Sequence, residues 1–524
     1  MNPTSPIHDI AIVGGGITGA GVALKASLSG YRVALFEQYD FGFGASSATS
    51  KLAHGGLRYL ENREFKLVRE SLSARNDLLL HANHAVKPLE FYIPIYKNSK
   101  WKPWQLKVGL TIYDWLQPKG QLPKHRLLQS RQLLNQVPWL QSDGLIGCAS
   151  YYDAQMADHR LLIETLLMAK SHGALIDNYQ QVVDFESKSS GVGFDTLDAK
   201  GVQHTHQSKA LVVATGAWNN QVSKSQQVNP TKGVHIVLPD MQLSQALLLM
   251  TPSDQRVFFV LPWQGKTLVG TTDTPNDGQY HSPKVTQLEA QYLLDSLNAY
   301  NTKRNWVLSD IQSAFCGYRP LISGSEGRPS KRTREESYRF VNNNVLAVSG
   351  GKYTTFLNMA DRAVQAIETH CGFNQSQYVF KQYPSFMGQL DGFPSDAQFN
   401  QLVHRYHINA DSLMYLIEEY GSIYKQILAI CEHNKNDAVR FDLEYPMIIA
   451  QLQYAIAHEW VKEPEDFLLR RTTIGYEYAK NSSLITAITK QFYQLTHQIK
   501  SVSDIKCKVQ SILKRVAIED TIAT

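Results

Sequence analysis

Three glycines, Gly14, Gly16 and Gly19, follow directly on the apolar run Asp9–Val13, and Glu37 closes a second apolar run, Arg32–Phe36. Between them Ile17–Ser29 is rich in Ala, Leu and Gly, and Gly30 ends it. The order reads strand, glycine turn, helix, strand, acid. In a G-x-G-x-x-G turn the first glycine makes the bend, the second lets backbone approach a pyrophosphate, and the third packs helix against strand. Helix-start N–H groups face the phosphates, and a carboxylate about 20 residues on takes ribose hydroxyls. The pattern points to a dinucleotide and leaves flavin or nicotinamide open. Two later turns have the same character. Ala210–Ala214 runs into Ala214-Thr215-Gly216, and Val345–Ser349 runs into Gly350-Gly351-Lys352 ahead of an amphipathic stretch, Thr354–His370. Either would bring backbone close to a bound dinucleotide; alone, each is a buried strand with a turn.

These turns need a large frame. The chain has 524 residues, 43% hydrophobic and 19% charged, which suits two to four packed domains and excludes a disordered or fibrous protein. Its five cysteines are scattered without a C-x-x-C pair, so no metal, iron–sulfur cluster or disulfide framework is expected, and a reducing cytosol fits. Met1–Pro6 has no signal-peptide character, and no run reaches the roughly 18 apolar residues of a membrane span. The net charge of +5 is mild and is gathered chiefly between Lys87 and Arg126, where Trp101, Trp104 and Trp115 are interleaved with lysines. That composition suits an anionic lipid headgroup surface, or a solvated face over core aromatics, and does not suggest nucleic acid. Gly233–Leu238, Val257–Pro262 and Thr267–Thr271 read as strands of a mostly antiparallel sheet, and helices dominate after Phe373, with Phe399–Gly421 and Tyr445–Trp460 the clearest.

Residues 42–61, GFGASSATSKLAHGGLRYLE, together with the opening fingerprint resemble the aerobic, bacterial FAD-dependent glycerol-3-phosphate dehydrogenases. The resemblance continues through Asp158-His-Arg-Leu161, Lys232-Gly-Val-His-Ile-Val237, Gly270-Thr-Thr-Asp273, Gly317-Tyr-Arg-Pro-Leu321, Ser349-Gly-Gly-Lys-Tyr-Thr-Thr355 and Arg470-Arg-Thr472. It implies an α/β fold: a Rossmann-like FAD-binding domain (1–80, 150–222 and 311–371), an antiparallel β-sheet substrate domain (81–149 and 223–310), and a helical C-terminal domain (372–524). This is the architecture of glutathione-reductase/D-amino-acid-oxidase-like flavoproteins.

The resemblance further implies oxidation of glycerol 3-phosphate to dihydroxyacetone phosphate, with hydride transfer to FAD and electrons passed to membrane quinone. Catalysis then falls to His235, Arg319 and Lys352, and substrate binding to Arg58, Tyr59, Arg319 and Arg334. Arginine suits a phosphate because its planar fork gives two parallel donors. Lys331 and Arg332 are neighbouring alternatives to Arg334, and Tyr59 either donates to substrate or packs. Histidine suits proton removal near neutrality; a satisfied core histidine is the plain alternative for His235. Cofactor contacts are expected from Gly14, Gly16, Gly19, Glu37, Ser46, Ser50, Lys51, His54, Gly56, Ala214, Gly216, Gly350, Lys352 and Thr354. Many relatives carry a basic residue near Leu357. A cytoplasmic protein peripherally associated with the inner face of the cytoplasmic membrane is implied, and a homodimer is compatible. The competing readings are an oxidase of the same substrate producing peroxide, an amine or amino-acid oxidase with one cation for a carboxylate, and an inactive flavin-binding membrane module.

Overall fold

The computed structural model describes residues 7–118, 122–223, 228–275, 283–322, 336–373 and 384–519, with the Arg58 side chain left out. Its first sheet is built around His8–Val13, which lies parallel to both Val33–Glu37 and Gln203–Val213; Val345–Gly350 continues the parallel set beyond the latter. Val13 is in register with Phe36 and Val213. That register brings Gly14, Glu37 and Ala214 to one edge, the carboxyl ends of the strands, where open α/β sheets bind ligands. The apolar strand residues are buried because helices cover the sheet: Ile17–Leu28, Asp158–Ser171 and Phe356–Cys371 share one core cluster with it.

The second sheet is mostly antiparallel. Near one edge Thr231–Pro239 pairs with Lys266–Gly270 on one side and Ser313–Arg319 on the other. The register sets His235 opposite both Gly270 and Phe315, and Thr231 opposite Arg319. The sheet continues through Val257–Trp263, Ala246–Met250, Val86–Tyr96 and Leu145–Met156 to Leu52–Ala53. Two expected seams fall differently: residue 150 lies inside the strand Leu145–Met156, and the strand Ser313–Arg319, expected with the cofactor domain, pairs here.

The helical end packs two clusters of its own. The stretch expected as one helix over 399–421 is two, Asp396–Tyr406 and Ala410–Tyr420, because His407 adopts a left-handed conformation (φ 50°) that stops the first. The stretch 445–460 shortens to Ile449–His458. Buried ion pairs join this end to the first sheet. Asp40, at the turn after Glu37, accepts from Arg470 and Arg471 within 2.5–2.9 Å, and Arg160 donates to Glu459 at 2.7 Å. Among the described residues no helix is long and apolar enough to cross a membrane.

Candidate active site

A cavity of about 1390 Å³ runs between the two sheets. Gly14, Gly16, Glu37, Ser46, Ser50, His54, Gly56, Ala214, Gly216, Gly350, Lys352 and Thr354 all line it, as do His235 and Arg319.

At the dinucleotide end Gly14 has φ 110°, and a Cβ there would sit 2.6 Å from the Ala214 carbonyl oxygen, so only glycine fits. Gly19 lies behind the wall: its Cβ would stand 2.0 Å from the Gly14 oxygen, which is the close helix packing expected of it. Ser46 Oγ accepts the Ile17 N–H at 2.9 Å at the start of the helix. The Glu37 carboxylate accepts from Gly15 N–H (2.7 Å) and Tyr39 N–H (2.9 Å), so it is fixed at the strand end where ribose hydroxyls would reach it. Burial pushes its pKa up, against these two hydrogen bonds. A cradle that any side chain at position 14 would fill, beside a fixed carboxylate and a helix N-terminus, fits FAD.

At the other end the buried groups are basic. His235 is 2% exposed; its Nε2 lies 2.9 Å from Ser50 Oγ, and its ring stacks on Phe315 with centroids 5.0 Å apart. Burial first, then the Arg319 and Lys51 charges, push its pKa down to about 3, so the ring is neutral at pH 7. Arg319 is aimed by three acceptors: Thr271 Oγ1 (2.7 Å), the Thr272 carbonyl (3.1 Å) and Asp273 Oδ1 (3.1 Å). Lys352 follows two glycines of positive φ and precedes a short turn, Tyr353–Thr355, that leads into the helix Phe356–Cys371. Its Nζ donates to Ser71 Oγ at 2.9 Å and sits 3.9 Å over the Tyr59 ring.

Two expectations change. Tyr59 is buried and does not line the cavity; it supports Lys352 from below, which is the packing alternative. Lys51 also stays off the lining: its side chain turns inward to pair with Asp158. Leu357, noted as a departure from relatives, is buried in the core with 1% exposure. The Arg58 side chain and all of Arg334, with its alternatives Lys331 and Arg332, lie outside the described residues. The sequence reading missed Ser71, which no motif marks. It also passed over Asp158, Thr271 and Asp273 as functional, although they sit in the segments that carried the resemblance.

This arrangement, a dinucleotide cradle joined by one cavity to a buried basic pocket under an antiparallel sheet, defines a flavin-dependent oxidoreductase. The family described as FAD dependent oxidoreductase matches residues 9–358, and the C-terminal domain of alpha-glycerophosphate oxidase matches residues 386–493. The chain is 33% identical to the aerobic glycerol-3-phosphate dehydrogenase of Staphylococcus haemolyticus over 487 residues, 89% of this chain and 86% of that one. The Staphylococcus aureus enzyme of the same name is 32% identical over 484 residues, with the same coverage. The glycerol-3-phosphate dehydrogenase structure from Bacillus halodurans, complexed with FAD, superposes with a TM-score of 0.80 at 26% identity, over 98% of this chain and 96% of that one. The chain belongs to the family of aerobic, FAD-dependent glycerol-3-phosphate dehydrogenases.

Proposed function

We propose that the protein oxidises glycerol 3-phosphate to dihydroxyacetone phosphate and passes the electrons to a membrane quinone. The observation that carries this reading is the convergence of Arg319, Lys352 and His235 on the cavity that also holds the dinucleotide cradle. Bound FAD supplies the acceptor for the hydride that leaves C2. The chain's own residues do the rest. Arg319, presented by Thr271, Thr272 and Asp273, pairs with the phosphate dianion; Lys352 adds a fixed cation at the cavity wall. Neutral His235 takes the C2 hydroxyl proton as the carbon–oxygen double bond forms. A ring with its pKa held near 3 is a weak base, but part of that depression comes from Arg319. When the phosphate pairs with Arg319 it offsets that cation, so substrate binding raises the basicity of His235 where the proton must go.

The quinone and membrane parts of the proposal rest on the helix Pro103–Leu116. Trp104, Val108 and Trp115 share one face and are 66%, 52% and 81% exposed, with Lys100, Lys102 and Lys107 beside them. Exposed tryptophans among lysines suit a headgroup layer. The same helix borders the cavity, whose lining there includes the apolar Phe91, Leu106, Leu110, Tyr151, Leu248 and Phe259. Turnover with glycerol 3-phosphate, followed with a quinone analogue and separately with oxygen, tests the acceptor. Reduction of the quinone without peroxide supports the dehydrogenase; stoichiometric peroxide supports the oxidase instead.

A further inference from the structure

Lys51 and Asp158 form an ion pair just behind the cavity wall that the reaction described above does not use. Lys51 is 2% exposed and Asp158 0%. Nζ lies 2.8 and 2.9 Å from the two carboxylate oxygens and donates to the Ser47 carbonyl at 2.7 Å. Desolvation offsets most of the attraction in so buried a pair, so stability is a poor account of it. Its geometry suggests another. Thr49 Oγ1 donates to Asp158 Oδ2 (2.7 Å) and accepts the Lys51 N–H (2.9 Å), while Lys51 itself is left-handed, with φ 57°. Asp158 therefore grips the residues on both sides of Ser50 and holds the chain in a conformation that side-chain-bearing residues avoid. Ser50 Oγ is the group that meets His235 Nε2. On the other side, the Phe315 ring that stacks on His235 has Lys51 Nζ 5.2 Å from its centroid. The imidazole is wedged between two supports that Lys51 touches.

We propose that the Lys51–Asp158 pair is a positioning device for His235: by fixing Thr49 and Lys51 it aims Ser50 at Nε2 and so sets the orientation and tautomer in which the imidazole takes the substrate's proton. The inference rests on the proposed role of His235. Asp158 extends the same control to its neighbours. Its carbonyl accepts the Tyr353 hydroxyl at 2.5 Å, next to Lys352, and the adjacent His159 pairs with Glu419 of the helical end at 2.7 Å.

The test uses the full-length, FAD-loaded protein with glycerol 3-phosphate and a dye acceptor. Lys51→Met/Asp158→Asn removes both charges together, so no uncompensated charge is buried; the amide oxygen can still accept the His159 N–H, and its NH2 faces the Thr49 hydroxyl, which can turn to accept. It is expected to lower kcat by about tenfold or more, in line with what small misplacements of catalytic groups cost, with KM within about twofold and flavin content unchanged. Ser50→Ala, with the pair intact, is expected to lower kcat likewise. In a His235→Ala background both changes are expected to cost almost nothing further, because the group they position is gone. Full, multiplicative loss in that background overturns the proposal, as does wild-type kcat in Lys51→Met/Asp158→Asn or in Ser50→Ala. Wild-type kcat in His235→Ala would instead refute the role of His235, and the positioning argument with it. Loss in His235→Ala without loss in Ser50→Ala refutes the positioning alone.

Discussion

Two glycines in neighbouring strands of the second sheet give a paired prediction that separates binding from chemistry. A Cβ on Gly233 would stand 2.2 Å from Arg319 Nη2 and 2.5 Å from Cζ. Ordinary contact is roughly 3.5 Å, so the guanidinium must withdraw by about 1.3 Å. It can, because it is the far end of a flexible side chain, and the fold stays intact. The displacement takes it from the Thr271, Thr272 and Asp273 acceptors that aim it. Losing a charge-assisted hydrogen bond costs about 1.5–3 kcal/mol, so Gly233→Ala should raise the KM for glycerol 3-phosphate roughly 10- to 100-fold, with a smaller change in kcat. A Cβ on Gly270 would stand 2.3 Å from His235 Cδ2 and 3.0 Å from Nε2. Here the obstructed ring is buried and stacked on Phe315, so it cannot step aside freely. Gly270→Ala should lower kcat by about 100-fold or more, the usual range for a displaced general base, and destabilise by about 1–3 kcal/mol through overpacking. Steady-state kinetics with a dye acceptor, flavin content from visible absorbance, and a thermal melt measure all three quantities. If Gly233→Ala keeps wild-type KM, Arg319 does not hold the phosphate; if Gly270→Ala keeps wild-type kcat, His235 is not the base.

Three further predictions concern other groups. Asp40→Leu should destabilise by about 3–5 kcal/mol, because Arg470 and Arg471 lose their shared buried carboxylate; a melt read beside flavin retention checks it. Burial alone would raise the Asp40 pKa, but the Arg471 and Arg470 guanidiniums overcome this and hold it below the usual range. The stability this carboxylate adds is therefore present above the unfolded pKa of about 3.9 and lost as pH falls through its lowered folded value. His235 pulls stability in the same direction over a different window. Its folded pKa of about 3 lies below the unfolded value, so the unfolded chain binds the extra proton between about 3 and 6.5 and stability declines as pH falls across that window. Between pH 7 and pH 4.5 the wild type should lose on the order of 2 kcal/mol more than His235→Gln in urea unfolding; equal losses would contradict the buried, neutral ring. Trp104→Ser/Trp115→Ser should weaken sedimentation with anionic vesicles while leaving dye-coupled turnover within twofold, and unchanged sedimentation would place membrane contact elsewhere.

Much of the cofactor end was legible because the fingerprint is local: Gly14, Gly16, Gly19 and Glu37 act through a strand–turn–helix–strand unit that the chain writes consecutively. His235, Arg319 and Lys352 were singled out through segments of resemblance and all three line the cavity; strand register accounts for the places of the first two. His235 stands opposite Gly270 and Phe315, and Arg319 opposite Thr231, on neighbouring strands that lie far apart in the chain. What escaped was set by distant partners. Lys51 lies among cavity-lining residues, and only Asp158, 107 positions on, turns its side chain inward. Tyr59 is drawn beneath Lys352 from the opposite end of the cofactor half. His407 breaks a helix without glycine or proline, which no local pattern announces.

The central claim is that glycerol 3-phosphate delivers electrons to flavin bound in this cavity. The direct measurement is anaerobic: the purified yellow protein is mixed with glycerol 3-phosphate, and with glycerol, D-alanine and sarcosine as controls, while the flavin's visible absorbance is followed. Rapid bleaching by glycerol 3-phosphate alone is the expected result. Bleaching by an amine or amino acid instead, or none with any of the four, would contradict the account.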